Sequence, residues 1–127
     1  MPEVLKQAAC WAAVAALLLA LAGGAQAQSV AVPKSFELCA ACHSMAAGEH
    51  VNGPSLAKLI NRQAGSVESF RYSGPMKRSG LVWDAQTLRK FLTDPQATVP
   101  GNRMPFSGMD NPAQVTEVLD YLIKAAR

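Results

Sequence analysis

The pattern of apolar positions along the chain predicts three helices, and no segment shows the convincing alternation expected of a strand. One helix follows Trp83 and ends at Asp94-Pro95, with Asp84 as its N-cap. Its apolar stripe has the i, i+3, i+4 spacing of Leu88, Phe91 and Leu92.

A second, longer helix opens at Asn111-Pro112, a capping residue followed by a proline at the first helical position. Its stripe is Val115, Val118, Leu119, Leu122 and Ile123. A third helix is expected over residues 33–42, with Pro33 at its start and Phe36 as its apolar contact. A short turn is expected near residues 56–60, whereas residues 44–53 and 63–82 are expected to be irregular.

The first 27 residues have the features of a cleaved signal peptide. Lys6 precedes an unbroken apolar run over residues 8–22, and Ala25 and Ala27 supply the small residues that a signal peptidase requires. The run is shorter than the roughly 20 residues that span a bilayer. An uncleaved membrane anchor is the alternative. Cleavage would also remove Cys10 and leave one mature domain, residues 28–127.

Charge and size narrow the function of this domain. Without Lys6 and Glu3, the 12 basic and 9 acidic residues fall to 11 and 8, so the net charge stays at +3. The basic residues are spread along the chain, which disfavours a nucleic-acid binder but would suit an acidic protein partner. A domain of this size has a small apolar core and is only marginally stable, so a bound apolar group in its interior would increase its stability.

The sequence Cys39-Ala40-Ala41-Cys42-His43 is the strongest chemical signal in the chain. Two thiols three residues apart share one face of a helical turn, and a histidine directly after them is the spacing of c-type haem attachment. A redox disulfide and a zinc site are the alternatives. The first would need surrounding strands, and the second would need four ligands, for which only Cys10 and His50 remain.

A haem iron bound by His43 needs a sixth ligand from elsewhere in the chain. Met45 and His50 follow His43 too closely to reach the other face of the ring with ease. Met76, Met104 and Met109 lie further along, and Met104 stands about 60 residues downstream in a loop containing Pro100 and Pro105. Spacing alone does not decide among these methionines, because most buried methionines only fill the core.

Residues 36–127 resemble the class I c-type cytochromes, the small monohaem group that includes the bacterial cytochromes c2. Five motifs occur in that family's order: Cys39-Ala40-Ala41-Cys42-His43, Asn52-Gly53-Pro54-Ser55-Leu56, Phe70-Arg71-Tyr72-Ser73, Ser79-Gly80-Leu81-Val82-Trp83 and Pro100-Gly101-Asn102-Arg103-Met104-Pro105-Phe106. The resemblance implies an all-α fold in which three main helices and long loops surround one covalent haem c. It also implies that Met104 is the sixth ligand.

The same resemblance implies roles for the residues around the haem. Pro54 would accept a hydrogen bond from the His43 ring, and the haem propionates would take donors from Arg62, Tyr72, Trp83 and Asn102. The chain departs from the family at Phe91, where a tyrosine is common, and has fewer lysines around the haem edge.

The resemblance implies an electron carrier and not an enzyme, because two strong axial ligands leave no open position on the iron. We expect a soluble, monomeric periplasmic shuttle that accepts single electrons from a quinol-oxidising complex and delivers them to a terminal oxidase or reductase. The alternative is a haem peroxidase or ligand sensor in which Met104 is labile. These two functions differ in whether the sixth position stays filled.

Overall fold

The computed structural model describes residues 29–127, so the predicted signal peptide lies outside the described residues. The described part of the chain is all-α. Its helices are α1 (Glu37–Ala40), preceded by a 3₁₀ turn (Lys34–Phe36), α2 (Gly74–Arg78), α3 (Ala85–Thr93), α4 (Pro95–Thr98) and α5 (Pro112–Ala125). Residues 29–127 form no strand, only two isolated antiparallel bridges, His43 with His50 and Gln63 with Val82.

The two longest helices begin where the sequence predicts. The Asp84 carboxylate accepts a hydrogen bond from the Thr87 N–H at 2.7 Å and caps α3. The Asn111 side chain accepts from the Ala113 N–H at 2.9 Å and caps α5, with Pro112 as its first residue. Both predicted caps are confirmed.

Three short elements differ from the prediction. The first helix is shorter than residues 33–42, because it starts as a 3₁₀ turn and the N–H groups of Cys42 and His43 both bond to the Cys39 carbonyl. Within the stretch expected to be irregular, α2 forms because the Ser73 hydroxyl caps it by accepting from the Met76 N–H at 3.2 Å. Asp94 ends α3, as predicted, but its carboxylate also caps the short helix α4.

Helix α5 packs against α3 and against the N-terminal 3₁₀ turn. The rings of Phe36 and Tyr121 have their centroids 4.6 Å apart and are tilted by 56°, so the N-terminal turn packs on α5. The Ser35 hydroxyl donates to Glu117 of the same helix. Val118, also in α5, is completely buried. The terminal segments are thereby held together, and the loops between them are left to surround a cavity.

A membrane-crossing segment is not found among the helices that residues 29–127 form, since none combines sufficient length with sufficient hydropathy.

Candidate functional site

A cavity of about 530 Å³ lies between α1, α2, α3 and the long loops. Its walls are mainly apolar and include side chains from Phe36, Leu59, Trp83, Leu88, Phe91 and Leu92. A cavity of this size suits a large organic group with few polar atoms. Eight of the nine predicted site residues line it: Cys39, Cys42, His43, Pro54, Arg62, Tyr72, Trp83 and Met104.

The two cysteines stand at one wall of this cavity. Neither forms a disulfide, and both are partly buried. Cys39 lies in the last turn of α1, and the Cys42 N–H bonds to its carbonyl at 3.1 Å, so the two residues are one turn apart. Burial raises the pKa of the Cys39 thiol. The arrangement allows both sulfurs to join the same flat group.

His43 is held in one orientation by its neighbours. Its Nδ1 lies 2.7 Å from the Pro54 carbonyl oxygen, and because a carbonyl only accepts, Nδ1 carries the proton. Nε2 therefore keeps its lone pair. Burial lowers the pKa of His43, and the neutral ring that results is the form that binds metals. A carbonyl partner of this kind is the usual support of a metal-binding histidine.

Gly53 allows the chain to approach the imidazole face. A Cβ at this position would lie 2.4 Å from His43 Cε1 and 2.7 Å from Nδ1. Only glycine fits so close to the ring. The segment Gly53-Pro54 thus fixes both the position and the tautomer of His43.

Arg62 has one donor that the protein does not satisfy. Its Nη1 donates to the Ala57 carbonyl at 2.8 Å, and its Nη2 donates to the Ser55 carbonyl at 3.0 Å. Its Nε is buried and has no partner among the described residues. A buried N–H of a guanidinium normally has an acceptor, so the free donor marks a place for an acidic group in the cavity.

Tyr72 and Trp83 line the same cavity as Arg62. Burial raises the pKa of the Tyr72 phenol, so the hydroxyl keeps its proton and remains a donor. The indole N–H of Trp83 is also only a donor. These groups suit the carboxylates of a haem propionate, and the unsatisfied Arg62 Nε shows that the residues present fit the group.

Met104 lies in the loop between α4 and α5, and Asn102 sets the shape of that loop. The Asn102 amide donates to the carbonyls of Pro95 at 2.9 Å and Val99 at 3.0 Å, while its oxygen accepts from the Met104 N–H at 3.0 Å. The predicted role of Asn102 as a propionate donor needs correction, because both amide protons are engaged and the residue does not line the cavity. Asn102 positions the Met104 loop instead.

The other end of this loop is attached to α3. The Met109 N–H donates to the Leu92 carbonyl at 2.9 Å. Gly108 has φ +108°, and a Cβ there would lie 2.1 Å from the Thr93 carbonyl oxygen, so only glycine permits the contact. With both ends held, the loop presents Met104 at a fixed place in the cavity wall.

Neither alternative chemistry finds support in the part of the chain that is described. No group of three or more His, Cys, Asp or Glu side chains able to hold a metal ion occurs in residues 29–127. His50, the one further candidate there, is engaged elsewhere: its Nδ1 accepts from the Ser55 N–H at 3.0 Å, and its Nε2 lies 2.7 Å from the Ser69 hydroxyl. The absence of strands in this region also argues against a redox disulfide domain.

Comparison with known proteins identifies the group that the cavity holds. The family model described as "Cytochrome c" matches residues 29–125. The chain belongs to the cytochrome c family. Cytochrome c2 iso-2 of Magnetospirillum fulvum is 49% identical over 90 residues, which cover 71% of this chain and 94% of that protein. Cytochrome c2 of Rhodoblastus acidophilus is 44% identical over 90 residues, covering 70% and 84%.

A solved structure shows the same fold. Cytochrome cH from Methylobacterium extorquens is 35% identical, with a TM-score of 0.66, and the match covers 71% of this chain and 91% of that one. The present chain is therefore a class I c-type cytochrome with one covalently attached haem c. It is an electron carrier and not an enzyme, and its partners are redox proteins.

Two further residues contribute to the site: Ser55, which the sequence did not indicate, and Met76, which it indicated only as one of several candidate axial ligands. Ser55 is buried, with 3% of its surface exposed, and its carbonyl holds Arg62. Met76 is also buried and lines the cavity. No local signal distinguishes Ser55 from other loop serines. The Ser73-Gly74-Pro75 sequence before Met76, by contrast, is typical of a helix start.

Proposed function

We propose that this cytochrome is a periplasmic shuttle that carries single electrons from a quinol-oxidising complex to a terminal oxidase or reductase. In this proposal Cys39 and Cys42 would attach the haem, and His43 and Met104 would bind its iron. The observation that carries the proposal is the placement of both ligand residues in the walls of one cavity, each held by its own hydrogen bond.

The haem supplies the redox chemistry, and the chain sets the conditions for it. Because the Pro54 carbonyl and Gly53 hold His43, the proximal ring does not need to move when the charge of the site changes. The loop fastened by Asn102 and Gly108 restrains Met104 in the same way. A thioether ligand is soft and neutral, so it favours the reduced state and raises the reduction potential. Two restrained ligands suit rapid transfer of an electron.

Arg62, Tyr72 and Trp83 provide donors for the propionates. A buried carboxylate without donors would be costly, and donors from three residues that line the same cavity would reduce that cost. The Arg62 Nε is the donor best placed for this role, since its other two nitrogens are already bonded to carbonyls. These contacts would also keep the haem from shifting within the cavity.

Exposed basic side chains would guide the partner to the haem edge. Lys34, Lys58, Lys90 and Arg103 are all exposed. Arg103 also lines the cavity and donates to the Arg71 carbonyl at 3.2 Å, which fixes one positive charge at the cavity wall. An acidic surface on the partner would be attracted to this side, more weakly as salt screens the charges.

Export is the part of this proposal that depends on residues 1–27. Mass spectrometry of the periplasmic fraction should find a chain that starts near Gln28 and carries one haem. An intact N-terminus on membrane-bound protein would contradict the soluble shuttle but not the haem.

Substitution of the sixth ligand tests the site itself. Met104→Ala should turn the oxidised iron toward high spin and lower the reduction potential, because the thioether is lost. The matched control is Met109→Ala, since Met109 is in the same loop and buried but does not line the cavity. If Met109→Ala opened the iron and Met104→Ala did not, the ligand assignment would be wrong.

A further inference from the structure

A second thioether lies in the haem cavity. Met76, in α2, has 8% of its surface exposed and lines the same cavity as Met104. Its position is well defined, because its N–H donates to the Ser73 hydroxyl at 3.2 Å and its carbonyl accepts from the Ser79 hydroxyl at 2.9 Å. Neither the attachment of the haem nor the two axial positions uses this residue.

Met76 belongs to the part of the wall that adjoins the Met104 loop. A Cβ on Gly101 would lie 3.0 Å from Pro75 Cγ, so the loop touches the residue next to Met76. Arg103 donates to the Arg71 carbonyl at 3.2 Å, which ties the loop to the segment that leads into α2. The neighbours of His43 belong to a different segment, because its ring packs on Gly53 and bonds to the Pro54 carbonyl.

Few other groups in this cavity could bind an iron. Among its lining residues, those with a nitrogen, sulfur or phenol donor suited to haem iron are Cys39, Cys42, His43, Tyr72, Met76 and Met104, and no lysine of the described chain is among them. The cysteines and His43 are committed to attachment and to the proximal position. Burial keeps Tyr72 protonated, which makes it a poor ligand. Met76 is the remaining uncommitted donor.

We infer that Met76 is a reserve ligand, whose sulfur takes the sixth position on ferrous iron when the Met104 sulfur leaves. The inference rests on the proposed function, in which Met104 is the resident ligand. Methionine has three rotatable bonds, so its sulfur can move within a cavity without a change in the backbone. A soft thioether binds the reduced iron in preference to the oxidised iron. Met76 would thereby keep small ligands off the reduced iron whenever the Met104 sulfur is not bound to it.

The test compares three forms of the haem-loaded protein: Met104→Ala, Met104→Ala with Met76→Leu, and Met104→Ala with Met109→Leu. Leucine keeps nearly the same volume, so each second substitution should fold. Met109 is the matched control because it is 9% exposed but does not line the cavity. The probe is carbon monoxide, titrated into the reduced proteins, together with the absorption spectrum of each reduced protein before the gas is added.

The reserve ligand predicts that reduced Met104→Ala is largely six-coordinate, and that adding Met76→Leu makes it five-coordinate. If Met76 fills about nine-tenths of the sites, carbon monoxide should bind about tenfold more tightly once Met76 is replaced. The Met109→Leu form should bind it as Met104→Ala does. A methionine methyl resonance shifted by the haem ring current, present in reduced Met104→Ala and absent after Met76→Leu, would identify the sulfur directly.

Two failures are distinguishable. Five-coordinate reduced iron in Met104→Ala, with equal carbon monoxide affinity in all three forms, would overturn the reserve ligand and leave Met104 as the resident ligand. An oxidised spectrum like that of the parent protein in all three forms would instead contradict the assignment of Met104, and the proposed function of its loop with it.

Discussion

Replacement of Gly53 by alanine tests the support of the proximal ligand. A Cβ at Gly53 would lie 2.4 Å from His43 Cε1, 2.7 Å from Nδ1 and 2.9 Å from Nε2. Ordinary contacts begin roughly 1 Å further away, so the ring must move, and the 2.7 Å hydrogen bond to the Pro54 carbonyl must lengthen or break. The backbone itself gives no reason for a penalty, because Gly53 is not among the glycines with positive φ.

The size of the effect follows from these contacts. Overfilling a packed site costs about 1–3 kcal/mol, and loss of a hydrogen bond costs about 1 kcal/mol. Gly53→Ala should therefore lower the free energy of unfolding by about 2–4 kcal/mol. Without the clash, the same change would raise it by about 0.4–1 kcal/mol, because alanine reduces the entropy of the unfolded chain. A decrease in the free energy of unfolding would therefore support the clash with His43, and an increase would argue against it.

The assay is guanidinium unfolding of the haem-loaded protein, followed by haem absorbance, with the reduction potential measured on the same samples. Gly74→Ala is the matched control. Its Cβ would meet only the flexible end of the Arg78 side chain, at 2.9 Å from Nη1, and that side chain can move away. If Gly53→Ala were as stable as Gly74→Ala and had an unchanged potential, the close packing on His43 would be refuted.

Other substitutions test the haem attachment, the cap of α5, the Tyr72 phenol and the basic surface. Replacement of both Cys39 and Cys42 by serine should leave little protein with covalent haem, as mass spectrometry would show, while either single change should weaken attachment. Asn111→Ala should destabilise the protein by about 1 kcal/mol in denaturant unfolding, since it removes the cap of α5. Burial raises the pKa of Tyr72, so stability should fall as the pH rises above about 10, where the unfolded phenol ionises first, and Tyr72→Phe should reduce that slope. Reversal of Lys90 and Arg103 to glutamate should slow electron delivery to the partner at low salt, measured by stopped flow, with little change in the haem spectrum; a rate indifferent to both salt and charge would favour apolar docking.

Long helices and covalent chemistry were predictable because they depend on local sequence. Asp84 and Asn111 cap the helices that their positions indicate, and the apolar stripes beyond them face the core. The spacing of the Cys39-to-His43 motif favoured c-type haem attachment, with a redox disulfide and a zinc site as the alternatives. The sixth ligand was different, because spacing left several methionines open until the resemblance to a family favoured Met104.

The short elements and the supporting contacts could not be predicted in the same way. Helix α2 has only five residues and depends on the Ser73 cap and on packing against distant segments, as at Met76. Asn102 was expected to donate to a propionate, but an amide takes whichever partners the fold supplies, and here those are the carbonyls of Pro95 and Val99. The Arg62 Nε likewise becomes a buried donor without a protein acceptor only through the tertiary fold, so the sequence could not indicate it.

We propose that His43 and Met104 both stay bound to the haem iron in the oxidised and in the reduced protein. Absorption spectra of the purified full-length protein, oxidised and reduced, with and without carbon monoxide, test it most directly. We expect six-coordinate low-spin iron in both states and a reduced spectrum that carbon monoxide leaves unchanged. High-spin iron in either state, or ready formation of a carbon monoxide complex by the parent protein, would contradict it.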